Sequence, residues 1–156
     1  MRLRSGLAIT VGDDLVERAV IPVKNTLTIT IFQYAHIVAN TCHVDNPAFV
    51  MCKLNMIDPA GNQSEVGRIT NADLYSDGKC LGNHAAQKTF SPLQSKKGNY
   101  VFIFSGDQAT VHPPGGEIAF YPAIKIVADG HLVVDKSYPS PGGEHGIVDN
   151  FVVTYL

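Results

Sequence analysis

Hydrophobic and polar residues alternate with a period of two along much of the chain. Residues 26–34, TLTITIFQY, place Leu27, Ile29 and Ile31 on one face and Thr28, Thr30 and Phe32 on the other. Such alternation, rich in β-branched residues, predicts a half-buried strand. Residues 49–57, FVMCKLNMI, set Val50, Cys52, Leu54 and Met56 against Met51, Lys53 and Asn55. Residues 99–106, NYVFIFSG, are almost continuously apolar, with Tyr100, Phe102 and Phe104 on one side and Val101 and Ile103 on the other. That predicts a central strand covered on both faces. Residues 123–134, AIKIVADGHLVV, read as two strands joined at Asp129-Gly130, a strong hairpin signal. The chain ends in another β-rich run, FVVTYL.

The punctuation fits this reading. Residues 58–62, DPAGN, supply Pro to start a turn and Gly for a positive φ. Lys-Lys-Gly-Asn at 96–99 and HPPGGE at 112–117 separate later segments, and YPSPGGEHG at 138–146 reads as a long loop before the last strand. Helical periodicity is almost absent; one short helix is expected at residues 84–88, capped by Asn83. Residues 65–93 carry the weakest pattern and are expected to form a long excursion, where function tends to sit. The fold class expected is all-β: one β-sandwich domain over residues 1–156, jelly-roll or Ig-like, with about eight or nine short antiparallel strands and little helix.

Composition changes that picture in one respect. The hydrophobic share of 45% is ordinary, but the charged share of 17% falls below the roughly 25% of a typical soluble domain. With a net charge of only −2, this points to a surface hidden by a partner or by copies of the same chain, since an isolated domain relies on surface charge for solubility. Lys and Arg are spread thinly, paired only as Arg2 with Arg4 and Lys96 with Lys97, so no basic footprint for nucleic acid is read. The opening MRLRSGLAITVGDD lacks the long apolar run of a signal peptide, and no stretch reaches the 18 or so apolar residues of a membrane-spanning helix. The expectation is therefore a soluble chain made in the cytoplasm, its final location open.

Candidate chemistry is sparse. Cys42, Cys52, Cys80 and His84 are the candidate zinc ligands, in the spacing C-x9-C-x27-C-x3-H. Zinc needs three or four such groups close together, but this spacing matches no compact zinc finger, and a Cys on the apolar face of a strand is more often plain core. Asp73 and Asp77 in NADLYSDGK offer oxygen ligands for calcium, although Tyr75 stands where an EF-hand needs another oxygen. Glu144 and His145 are a candidate acid/base pair in the Pro/Gly loop. No G-x-S-x-G, phosphate-binding G-x-x-x-x-G-K, G-x-G-x-x-G or H-E-x-x-H occurs, so no catalytic residue and no resident cofactor is expected.

Sugars stack on aromatic faces. The chain has no Trp, the largest stacking surface, but Tyr75, Tyr121 and Tyr138 fall in or beside predicted loops. The first functional expectation is a structural subunit that assembles with itself. The second is a lectin-like module binding carbohydrate or protein through Asp73, Tyr75, Asp77, Tyr121, Tyr138, Glu144 and His145. A metal-dependent enzyme built on the Cys/His set comes third.

Overall fold

The computed structural model describes residues 6–11, 14–38, 46–76, 78–92 and 96–156, with side chains from residue 20 onward. In chain order the elements are β1 (Gly6–Val11), β2 (Asp14–Val23), β3 (Leu27–Val38), β4 (Val50–Ile57), β5 (Gln63–Thr70), α1 (Asn71–Leu74), β6 (Gly82–Phe90), β7 (Gly98–Val111), β8 (Glu117–Ala128), β9 (His131–Ser137) and β10 (Gly143–Tyr155). The protein is nearly all β, in one open mixed sheet. No helix among the described residues is long and apolar enough to cross a membrane.

The sheet forks, and two long strands cause the fork. β7 pairs along one edge with β10 over residues 98–110. Its other edge pairs first with β4, over residues 101–106, and then with β8, over residues 109–111. β8 divides its edges in the same way, with β3 along all of one side and β7 followed by β9 along the other. One limb is therefore β2, β10, β7, β4 and β5; the other is β6, β3, β8 and β9. Strand β1 extends β2 as a hairpin.

The apolar faces of both limbs share one core. Leu27, Ile29, Ile31, Ile124 and Ile126 from one limb pack with Leu54, Ile69, Phe102, Phe104, Phe151 and Val153 from the other. These are the residues that period-two alternation turns to one side of each strand, and their burial is the main favourable term holding the limbs together. A second, smaller cluster joins Ala35, Met51 and Leu74 under α1.

Several expectations are corrected. The strands are not all antiparallel, because β2 runs parallel to β10 from Val20 against Val152 to Val23 against Tyr155. Residues 84–88 form no helix but belong to β6, where nine consecutive residue pairs with β3 override the local helix preference of Ala85, Ala86 and Gln87. The helix lies at α1 instead, started by a capping box in which Thr70 and Asp73 exchange bonds. The weakly patterned region holds β5, α1 and β6 rather than a long loop. The last strand begins at Gly143, eight residues earlier than the apolar run suggests. In β4 a bulge between Val50 and Cys52 lets Met51 and Cys52 both be buried, which breaks the simple alternation there. The covering of β7 is also uneven: Tyr100, Phe102 and Phe104 are buried, while Val101 and Ile103 are half-buried.

The Asp129-Gly130 hairpin forms as expected, with φ of 50° and 83°, the positive pair a tight hairpin turn demands. Asp129 does more than turn the chain. Its carboxylate accepts the backbone N–H groups of Lys24, Asn25 and Thr26 at 2.7–2.9 Å, tying this turn to the one between β2 and β3.

Candidate functional site

The inner row of β3 is spent on the core: Leu27, Ile29, Ile31, Gln33, Ala35 and Ile37 are all buried. The alternate residues therefore face outward, and this outer row carries Phe32, Tyr34 and His36 after two threonines. The rings of Phe32 and Tyr34 stack along the strand, with centroids 5.9 Å apart and planes within 6°. Tyr34 stands directly opposite Tyr121 of β8, and those two rings lie 5.2 Å apart with a 35° tilt.

Small neighbours leave these half-buried rings partly open to solvent. The register partner of Phe32 on β8 is Ala123, that of Tyr34 on β6 is Ala85, and that of His36 on β8 is Ala119. The result is a shallow depression of about 310 Å³ beside Tyr34 and Tyr121, bordered by His36 and Asn83. His36 Nδ1 lies 2.5 Å from Asn83 Oδ1. A carbonyl oxygen only accepts, so Nδ1 carries the hydrogen and, in the neutral ring, Nε2 is left as an acceptor. Lys125 holds its ammonium 5.7 Å from the Phe32 centroid. The Tyr34 hydroxyl is kept protonated, raised by burial first and then by the nearby Tyr121 and Asp135. Neither the Tyr34 nor the Tyr121 hydroxyl has a hydrogen-bond partner among the described residues. Flat apolar faces ringed by free donors and acceptors suit a ligand with alternating C–H and O–H groups.

The metal-ligand candidates occupy separate roles. Cys52 is a free, buried thiol on β4, with Sγ 3.8 Å from the Phe32 carbonyl oxygen, and burial pushes it up to about 12. Cys80 is disulfide-bonded. His84 is buried on β6, donates from Nε2 to the Cys80 carbonyl at 2.8 Å, and takes the edge of the Tyr75 ring at 4.7 Å. Cys42 lies outside the described residues. Among the described residues no group of three or more His, Cys, Asp or Glu side chains is gathered.

The remaining candidates also scatter. Asp73 caps α1, accepting from Thr70 N–H at 2.9 Å and pairing with Lys88 at 3.1 Å; Asp77 lies outside the described residues. Tyr138 turns inward, its ring against Phe104 and its hydroxyl donating to Asp149 at 2.6 Å. Glu144 and His145 are neighbours on β10 rather than in a loop, so they point to opposite faces and do not form a pair; His145 instead donates to the Gly142 carbonyl at 2.6 Å. Of the tyrosines singled out from sequence, Tyr121 joins the aromatic face. Phe32 and Tyr34 were missed as site residues, although the alternation that puts Ile29 and Ile31 inside already puts both rings outside.

A scan against known protein families finds no match, and a search of curated proteins finds none either.

Proposed function

We propose that this protein is a non-enzymatic carbohydrate-binding module, and that sugar rings stack on Phe32, Tyr34 and Tyr121. The observation that carries the reading is the half-buried pairing of Tyr34 with Tyr121 across β3 and β8, with Phe32 stacked in line on the outer face. Rings held half-buried on an outer sheet face keep part of their apolar surface open, and a ring cluster bordered by polar groups is a surface shaped for contact. His36, Asn83 and the two tyrosine hydroxyls supply the hydrogen bonds. The forked sheet is read as a β-sandwich, a reading supported by the core shared between its limbs. The disulfide at Cys80 supports a working location where thiols oxidise.

A glycan array tests the reading. Binding to a defined set of oligosaccharides, lost in Tyr34→Ala and Tyr121→Ala while circular dichroism shows the β fold retained, is expected. Uniform blanks for the wild type would reject it.

Self-assembly is the second reading, favoured by a different observation. Strand β9 pairs only with β8 among the described strands, and Leu132 and Val133 on it are 57% and 45% exposed. An edge with apolar side chains is a template for another copy. Native mass spectrometry separates the two: a defined multimer that Leu132→Lys dissolves supports assembly, whereas a monomer at high concentration rejects it.

A further inference from the structure

The outer row of β3 does not end at its aromatic residues. Beyond Phe32 it continues through Thr30 to Thr28, four residues or about 13 Å along the strand, and Thr28 lines a second cleft, of about 400 Å³. Three lysines stand around this cleft: Lys24 from the turn before β3, and Lys96 and Lys97 from the turn before β7.

The cleft has anchored walls. Tyr155 donates to the Pro92 carbonyl at 3.3 Å, Tyr100 donates to the Lys96 carbonyl at 2.7 Å, and the Leu156 N–H reaches the Val23 carbonyl at 3.0 Å. Its cations outnumber the carboxylates near them. None of the three ammonium groups makes an ion pair among the described residues. Asp129 attracts Lys24 and Asp58 attracts Lys96 across space, while both carboxylates spend their hydrogen bonds on backbone N–H groups, Asp129 on Lys24, Asn25 and Thr26 and Asp58 on Ala60 and Asn62. Three lysines face these two carboxylates, which leaves a surplus of positive charge. Between cleft and rings lie the paired hydroxyls of Thr30 and Thr89, 3.0 Å apart, and Lys125 beside Phe32.

We infer that the ligand is an acidic oligosaccharide, which stacks on Phe32, Tyr34 and Tyr121 while its sulfate or carboxylate groups enter the cleft of Lys24, Lys96 and Lys97. The inference rests on the carbohydrate reading above and adds the class of sugar. Single-stranded nucleic acid also combines rings with anions, but it calls for a basic groove that follows the whole strand. Here three lysines gather at one end and a single one, Lys125, stands beside Phe32, in a chain of net charge −2.

The test is calorimetric titration of the full chain with three probes: a heparin-derived hexasaccharide, neutral maltohexaose and a single-stranded DNA oligomer. The sulfated sugar is expected to bind about tenfold more tightly than the neutral one, a difference of about 1.4 kcal/mol, and to weaken as salt rises. A combined Lys24→Gln, Lys96→Gln, Lys97→Gln variant should erase that advantage and keep the wild-type melting temperature, because all three side chains are exposed. Equal affinity for both sugars, or no effect of the lysine substitutions, overturns the inference while leaving the carbohydrate reading in place. Binding of neither sugar overturns both. So does sulfated-sugar binding that Tyr34→Ala leaves intact. Tighter binding of the DNA oligomer overturns the choice of ligand class.

Discussion

Gly67 of β5 lies against the ring of Phe90 at the end of β6, so close that a Cβ at Gly67 would run into the ring. This contact joins one limb of the sheet to the other where no backbone ladder links β5 and β6. The absence of a side chain at Gly67 is therefore a packing requirement, and the turn-like appearance of glycine in a weakly patterned segment hides it.

Gly67→Ala is expected to destabilise the protein by about 1–3 kcal/mol, the usual cost of overpacking. Urea denaturation measures it. Trimming the ring with Phe90→Leu in the same chain should recover part of the loss, because neighbours in contact do not act additively. Full additivity of the two substitutions would show that the close approach is not what matters at Gly67.

Asp149 predicts an acid limb. It is 8% exposed and accepts from Lys136 at 2.7 Å and from Tyr138 at 2.6 Å. Burial alone pushes its carboxyl up, but these hydrogen bonds and the Lys136 charge outweigh it, and the net shift is downward. A depressed folded pKa means that the contribution is complete above the unfolded value of about 4 and is lost as pH falls through the folded one. The melting temperature of the wild type should therefore drop on acidification below about pH 4, and Asp149→Asn should flatten part of that drop. Glu65 and Asp73 shift in the same direction, so some slope remains. Tyr138→Phe should cost about 1.5–3 kcal/mol at neutral pH, as for a hydrogen bond to a charged group. An acid limb identical in Asp149→Asn and wild type would contradict this assignment.

Cys52 is expected to be inert. Its thiol is buried and, with burial pushing it up to about 12, stays protonated at neutral pH; alkylation requires the thiolate. Iodoacetamide should modify Cys52 only after denaturation, as read by peptide mass. Rapid labelling in the native protein would show that β4 opens readily.

Asp129 links two turns, and its two substitutions should separate shape from bonding. Asn tolerates a positive φ and keeps one accepting oxygen, whereas Ala does neither. Asp129→Ala should therefore lower the melting temperature more than Asp129→Asn. Equal effects would mean that the three N–H bonds from Lys24, Asn25 and Thr26 contribute nothing beyond those the turn could make with water.

Legibility from sequence follows the range of the interaction. The inner row of β3 and the Asp129-Gly130 hairpin are written in adjacent residues, and both are read correctly. The parallel contact of β2 with β10 joins residues far apart in the chain, and the divided edges of β7 and β8 depend on which distant strands pair with each stretch, which no local pattern encodes. Residues 84–88 look helical because Ala and Gln favour helix, yet pairing with β3 decides their state. The site behaves in the same way. Phe32 and Tyr34 are legible as outward-facing residues, but their meeting with Tyr121 depends on the register of β3 against β8. Sequence alone favours Tyr75 and Tyr138 as equals of Tyr121, and tertiary packing turns Tyr138 inward.

Sugar stacking on the outer face of β3 and β8 is tested by an NMR titration of protein carrying ¹³C in its tyrosine and phenylalanine rings, with the strongest oligosaccharide from the array as titrant. Saturable shifts are expected at Phe32, Tyr34 and Tyr121, with Tyr100 and Phe102 in the core unmoved. Shifts confined to other rings, or none at a saturating sugar concentration, would contradict that stacking.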